Sequence, residues 1–175
     1  MRSEIVNFYQ FSELSEDAKQ VAIDNFRERG EFFWADEWLQ SAQEFCLIAP
    51  VHIIRADICA GHVDVAWRGE CEGELNGVRA WKWLLNNGWF DLARKNVLGD
   101  CTLTGFCGDC DLFDPIAKYE KTPVKIPDLR QVFYECLQSW VYAACRDYEW
   151  QQSDEYIAEH MEANEWEFLE CGEAA

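Results

Sequence analysis

Apolar residues recur at helical spacing in three parts of the chain. The first part begins after Ser15, a residue type typical of a helix N-cap, and it ends before Gly30. The second covers residues 33–45. The third follows Asp128, where an apolar stripe continues for about five turns through Leu129, Val132, Phe133, Cys136, Leu137, Trp140, Val141, Ala144 and Tyr148. These segments predict three amphipathic helices.

Alternating apolar and polar residues indicate strands elsewhere. Val63, Val65 and Trp67 alternate with other residues after a β-branched stretch that begins at Val51, and residues 59–62 have the composition of a hairpin turn. The segments CTLTGF (residues 101–106) and EWEF (residues 165–168) predict two further strands. Together they predict an antiparallel sheet of three to four strands.

Two shorter helical patterns complete the prediction. One covers residues 78–86 before an Asn-Gly stop, and one follows Ser153, with Tyr156, Ile157 and Met161 on one side. Glycines or prolines indicate connections at residues 68–77 and 114–128. The pattern therefore predicts a single α+β domain over residues 1–175, in which the sheet packs with about five helices.

The composition predicts a folded chain with an unusual charge. Hydrophobic residues make up 49% of the 175 residues, and 33 Asp and Glu face 15 Lys and Arg, for a formal charge of -18. Small soluble domains usually carry a charge of magnitude about 2 to 8. Because phosphate contacts require clustered Lys and Arg, the balance argues against direct binding of nucleic acid or an anionic membrane. A basic protein or nucleoprotein complex is the predicted partner.

The start of the chain and the cysteines bear on location. The first residues contain no apolar leader, and no run approaches the roughly 18 apolar residues of a membrane span. We therefore expect a cytoplasmic protein whose nine cysteines stay reduced. An odd number of cysteines also fits a complete disulfide framework poorly.

One cysteine motif has the spacing of a metal site. Cys107 and Cys110 form a C-x-x-C pair, and Cys59 with His62 offers a second pair that would complete a Cys3His zinc site. A redox role and a purely structural role for these thiols remain as alternatives, and the structural role is favoured. We therefore predict no cofactor, with zinc at these four residues as the metal alternative.

Carboxylates beside this motif suggest a cation loop, but without the expected order. Asp109, Asp111 and Asp114 lack the central glycine and closing glutamate of a calcium loop. A solvated turn is the preferred interpretation.

No pattern indicates catalysis. A glycine-bearing loop contains residues with the chemistry of a nucleophile or of an acid and base pair, namely Glu70, Cys71, Glu72 and Glu74, but no histidine is tied to them by spacing. Phosphate-binding, dinucleotide and hydrolase motifs are missing from the sequence. We predict that the protein is not an enzyme and that it has no catalytic residues.

The strongest functional pattern is acidic. Glu155, Glu159 and Glu162 fall at i, i+4 and i+7, about 5 to 6 Å apart on one helix face, a spacing comparable to successive phosphates of a nucleic-acid strand. Glu165 and Glu167 extend the row. Such a face either mimics nucleic acid or only aids solubility. Three aromatic residues are predicted to anchor a partner: Trp81, Trp83 and Trp89.

The sequence resembles a largely uncharacterised family of small acidic proteins of bacteriophages and prophages. The resemblance lies in residues 11–28, 103–116 and 153–172, and includes a Glu-x-x-x-Ala-Asn-Glu-aromatic-x-Phe pattern that ends at Phe168. Some family members carry the label of antitoxins of toxin–antitoxin stability systems. The resemblance implies a mobile-element context and no catalytic residues.

These observations predict a non-enzymatic inhibitor that binds a basic, nucleic-acid-handling surface of a host defence complex, of the anti-CRISPR or anti-restriction type. Two alternatives stay open: an antitoxin-like protein that captures a toxin, and a small metal-dependent enzyme that uses the Cys107 and Cys110 region. A homodimer is also compatible with the sequence.

Overall fold

The computed structural model describes residues 7–69 and 72–175, and this part of the chain is α+β and mostly helical. Its helices are α1 (Glu16–Glu28), α2 (Ala35–Ile48), α3 (Gly77–Asn86), α4 (Trp89–Val97), α5 (Gly108–Tyr119), α6 (Leu129–Gln151) and α7 (Asp154–Ala163). Its strands are β1 (Tyr9–Gln10), β2 (Val51–Asp57), β3 (His62–Trp67) and β4 (Glu167–Phe168).

The strands form two separate antiparallel pairs. In the hairpin, β2 pairs with β3 so that Val51 lies opposite Trp67 and Asp57 lies opposite His62, as the alternation predicts. The second pair joins β1 to β4. The predicted sheet of three to four strands is not confirmed, because each sheet among the described residues has two strands.

The segment at residues 101–106 is a loop, so the strand predicted there is wrong. Its backbone N–H groups at 102–104 donate to side chains rather than to a neighbouring strand: Asn96 accepts one and Asp109 accepts two. Gly105 has a φ of 85°, which a strand does not accommodate. Local side-chain hydrogen bonds therefore replace a β-ladder.

Two helices differ from the predicted pattern. Helix α4 begins directly after Gly88, whereas the sequence predicted only the end of a helix at this Asn-Gly segment. Helix α5 continues through Pro115, although a proline inside a helix costs about 3 kcal/mol. Burial of Leu112, Phe113 and Ile116 on the same helix offsets that cost.

The described residues divide into two compact units. Residues 7–33 and 148–175 form the terminal unit, and residues 34–69 with 72–147 form the central unit. The boundary at 147/148 falls within the last turns of α6. The predicted single cooperative domain stays a prediction.

The terminal unit has its own apolar core. Helices α1 and α7 begin at the predicted caps, with Ser15 accepting from the backbone N–H of Ala18 and Ser153 accepting from that of Tyr156. Their buried faces pack together with residues from the β1–β4 region: Phe11, Leu14, Ala18, Ala22, Ile23, Phe26, Ile157, Met161 and Phe168. Helix α7 is therefore held on a fixed apolar base.

The central unit packs around aromatic residues. Phe133 of α6 lies 4.7 Å from Trp89 between ring centroids, and Phe45 lies 5.5 Å from Phe113. Cys136, predicted to lie in the core, is fully buried on α6.

Candidate functional site

Helix α7 presents one buried side and one exposed acidic side. Ile157 and Met161 are buried on the side that packs into the core. Glu155, Glu159 and Glu162 are exposed on the other side. Because the spacing is i, i+4 and i+7, the three carboxylates line one helix face. The structure therefore brings together the row that the sequence predicts.

Glu165 and Glu167 follow α7 in the chain, and both are exposed. Glu165 has a φ of 51°, in the left-handed region, and it turns the chain into β4. None of the five glutamates forms an ion pair with any residue within the described ranges 7–69 and 72–175. No ion pair among these ranges therefore neutralises their charge. We call these five residues the acidic row.

The negative charge is concentrated in the part of the chain that carries the acidic row. Positions 1–33 and 148–175 contain 16 acidic and 4 basic residues, a formal charge of -12. Positions 34–147 contain 17 acidic and 11 basic residues, a formal charge of -6. About a third of the sequence therefore carries two thirds of the net charge.

The basic residues described in the terminal unit contact carboxylates or an aromatic ring of the same unit. Lys19 pairs with Glu16 at 2.9 Å, and Arg27 pairs with Asp24 at 3.0 Å and with Asp154 at 2.5 Å. Arg29 lies over the ring of Trp166, 5.1 Å from its centroid. Lys19 and Arg27 thus pair with carboxylates outside the acidic row, whereas Arg29 lines the same surface cleft as Glu165 and Glu167.

Exposed aromatic residues lie in the same unit. Trp150 is 47% exposed and Phe8 is 53% exposed. Phe8 also lines a surface cleft of about 620 Å³ with Trp166, Glu165 and Glu167. The sequence pattern did not single out Trp150 or Phe8, because exposure of an aromatic side chain is decided by packing.

The three tryptophans predicted as anchors are placed differently. Trp89 is only 4% exposed and packs into the central core, so the prediction of an exposed anchor is wrong for it. Trp81 is half-buried, and its indole N–H donates to the backbone oxygen of Glu120 at 2.9 Å. Trp83 is half-buried against Phe133. Core packing accounts for much of the surface of all three.

The predicted zinc ligands do not assemble. Cys110 lies beside Cys101, with the sulfur atoms 3.9 Å apart, and its thiol donates to the backbone oxygen of Asn96. The Nε2 atom of His62 lies 3.2 Å from Oδ1 of Asp64. The backbone oxygen of Cys59 accepts a hydrogen bond from the Cys145 thiol. Among residues 7–69 and 72–175, no three His, Cys, Asp or Glu side chains are grouped to hold a metal ion.

Asp109 is buried rather than solvated, which corrects the interpretation of its loop. Its carboxylate accepts from the backbone N–H groups of Leu103 and Thr104 and from the Thr104 hydroxyl, at 2.8 to 3.0 Å. Burial also raises the pKa of the nearby Asp111 carboxyl. Asp109 therefore organises the loop before α5 and is not available as a cation ligand.

Two further findings bear on the predicted site and location. Glu70 and Cys71, considered as an acid and a nucleophile, lie outside the described residues. Among the helices that the structure describes, none has the length and apolar content needed to cross a bilayer.

Comparisons of the chain with protein-family models, with curated proteins and with solved structures found no match. The resemblance to phage and prophage proteins therefore stays a prediction.

Proposed function

We propose that the protein is a non-enzymatic inhibitor from a phage or mobile element, whose acidic row occupies a basic, nucleic-acid-binding surface of a host defence complex. The acidic row carries this proposal: its five glutamates are exposed and form no ion pair with the part of the chain that the structure describes, and they lie on a unit whose sequence has a formal charge of -12.

The physical basis is competition for the same cationic groove. A nucleic-acid strand binds such a groove through regularly spaced phosphates and releases condensed counterions. Glu155, Glu159 and Glu162 repeat at about 5 to 6 Å along α7. Because Ile157 and Met161 are packed in the core, the helix backbone that carries the carboxylates is ordered before binding, which lowers the entropic cost of association.

Exposed aromatic residues supply the apolar part of the proposed interface. Interfaces are commonly anchored by a few Trp, Tyr or Arg side chains, while charges steer association and select the partner. Trp150 and Phe8 are exposed in the terminal unit. They replace the buried Trp89 as the proposed anchors.

The test compares two triple variants with the same change in net charge. One replaces Glu155, Glu159 and Glu162 with Gln, and the matched control replaces Asp36, Asp64 and Asp100 of the central unit with Asn. All six residues are exposed. Each protein is immobilised, exposed to a bacterial host lysate, and eluted with a short DNA duplex and then with salt.

We expect the wild type and the Asn control to capture a nucleic-acid-binding complex that the duplex elutes. The Gln variant should bind that complex on the order of tenfold more weakly, with a smaller salt dependence, because three charge contacts are lost. Equal capture of the complex by all three proteins would show that the acidic row only aids solubility. A complex that salt elutes but the duplex does not would show the same. Recovery of one small toxin would support the antitoxin alternative.

A further inference from the structure

Three thiols surround the loop between α4 and α5. The sulfur atoms of Cys101 and Cys110 are 3.9 Å apart, and both residues are partly exposed. Cys107 is exposed at the N-cap position of α5. By contrast, Cys46 and Cys136 are buried in the central unit. The Cys101 and Cys110 pair is thus close in space and reachable from solvent.

The loop holds these two sulfur atoms together. Cys110 lies in the first turn of α5, and Cys101 precedes the residues that donate to Asn96 and Asp109. Since the loop is fixed at both ends by side-chain hydrogen bonds, the two thiols stay neighbours. A disulfide requires the sulfur atoms to approach by a further distance of about 2 Å, which rotation of the side chains and a small loop shift can supply.

The backbone of Cys101 is also unusual. Its φ of 45° lies in the left-handed region, which residues other than Gly, Asn and Asp rarely adopt. Its carbonyl accepts from the N–H of Gly105 at 2.9 Å, which closes the turn. The left-handed conformation of Cys101 is therefore part of the turn that precedes α5.

We propose that Cys101 and Cys110 form a reversible dithiol–disulfide site that exchanges with low-molecular-weight disulfides such as oxidised glutathione. The site is a chemical modification site distinct from the acidic row. It does not require the proposed inhibitor function.

The exchange proceeds in two balanced steps. Cys101 loses its proton to solvent, and its thiolate attacks one sulfur of the small disulfide, which forms a mixed disulfide and releases one small thiolate. Cys110 then loses its proton, and its thiolate attacks the Cys101 sulfur, which forms the protein disulfide and releases the second small thiolate. Two protein thiols are oxidised, and one small disulfide is reduced to two thiols.

The order of the steps follows from the surroundings of Cys110. Burial is the main cause that raises the pKa of the Cys110 thiol to about 11. Cys110 is therefore mostly protonated near neutral pH and suits the second, intramolecular step, in which its partner is already in contact.

Oxidation would change the loop locally. The disulfide closes a short loop that contains Asp109 and removes the thiol hydrogen that Cys110 donates to the oxygen of Asn96. A cross-link restricts the unfolded chain, so the oxidised protein is expected to melt at a temperature higher by on the order of 5 °C.

The experiment uses the full chain in glutathione buffers of increasing oxidised fraction, followed by alkylation and mass spectrometry. Cys101, Cys107 and Cys110 fall in one tryptic peptide, residues 96–118, so fragment ions assign the bonded pair. The variants are Cys101→Ser, Cys110→Ser and the matched control Cys107→Ser. Serine at 110 can still donate to the oxygen of Asn96, which preserves the local structure.

In the wild type and in Cys107→Ser, we expect this peptide to lose two hydrogen atoms as the Cys101–Cys110 disulfide forms. This disulfide should form at a lower oxidised fraction of glutathione than a disulfide between any other cysteines. Reduced glutathione should restore both thiols. In Cys110→Ser, Cys101 should stop at the mixed disulfide. Persistence of both thiols under oxidised glutathione would overturn the proposal. A bond to Cys107 in place of the Cys101–Cys110 bond would overturn it as well.

Discussion

At the scale of single residues, Asp109 shows how one side chain decides a local structure. Its carboxylate accepts three hydrogen bonds from residues 103 and 104 while fully buried. The sequence alone places it among three nearby aspartates without distinguishing it. Only Asp109 of the three is buried, because the loop folds over it.

Replacing Asp109 with Asn tests this role. A neutral amide oxygen accepts from the backbone N–H groups of Leu103 and Thr104 more weakly than a carboxylate, and the amide nitrogen cannot accept from the Thr104 hydroxyl. We therefore expect a loss of about 1 to 3 kcal/mol in the free energy of unfolding. Asp111→Asn is the matched control. Because burial raises the pKa of the Asp111 carboxyl, its charge is unfavourable in the folded state, and the neutral amide should cause no loss. Urea unfolding measures both, and equal losses would contradict this role.

Gly172 is the second residue with a specific role. Its φ is 90°, and a Cβ there would lie 2.1 Å from the backbone oxygen of Ala18 in α1. We expect Gly172→Ala to lower the free energy of unfolding by more than about 2 kcal/mol, because backbone must move.

Gly30→Ala serves as the control for Gly172→Ala. Gly30 also has a positive φ, of 63°, but a Cβ there meets nothing within 4 Å. Gly30→Ala should therefore lower the free energy of unfolding by about 1 kcal/mol, from conformational strain alone. Thermal unfolding with circular dichroism compares the two variants. Similar losses would mean that the contact with Ala18 adds nothing.

At the scale of elements, α7 links local sequence signals to the proposed function. Its cap and its apolar side are both readable in the sequence, and the structure confirms them. The exposed acidic row follows directly from those two features. The residues at 101–106 show the opposite case, because β-type composition there is overridden by hydrogen bonds that the backbone N–H groups donate to Asn96 and Asp109.

Removing the α7 cap should lower the stability of the protein. Ser153 accepts from the backbone N–H of Tyr156 at 3.2 Å and donates to the oxygen of Trp150 at 2.7 Å. Ser153→Ala should cost about 1 kcal/mol in the free energy of unfolding, whereas Ser153→Asp should retain most of the cap. Chemical denaturation gives the free energies. If alanine and aspartate behave alike, the cap contributes little.

At the scale of the whole molecule, the net charge of -18 opposes compaction. Screening by salt reduces repulsion among exposed carboxylates. We therefore expect the melting temperature to rise as sodium chloride increases from about 10 to 200 mM, a range over which the Debye length falls from roughly 30 Å to below 10 Å. The melting temperature should rise less in the variant that replaces Glu155, Glu159 and Glu162 with Gln. A salt-independent melting temperature would contradict this expectation.

The predicted single domain can be tested by calorimetry. Helix α6 contributes residues to both compact units, since its bounds are Leu129–Gln151 and the units divide at 147/148. We expect one transition in which the calorimetric and van't Hoff enthalpies agree, as for cooperative small domains. Two resolved transitions would instead show that the units unfold independently.

The sequence by itself determined the features that depend on neighbouring residues. Helical spacing, serine caps and strand alternation are local, so α1, α2, α6, α7 and the β2–β3 hairpin follow from the pattern. The row of Glu155, Glu159 and Glu162 follows for the same reason, because positions three and four apart share a helix face.

Only the tertiary structure decided features that depend on distant contacts. It buried Trp89, exposed Trp150, paired β1 with β4, and brought Cys101 to Cys110. These outcomes depend on which surfaces meet after folding, and spacing along the chain does not specify that. Local sequence therefore determined α1, α2, α6 and α7, whereas burial, strand pairing and thiol proximity were set by packing.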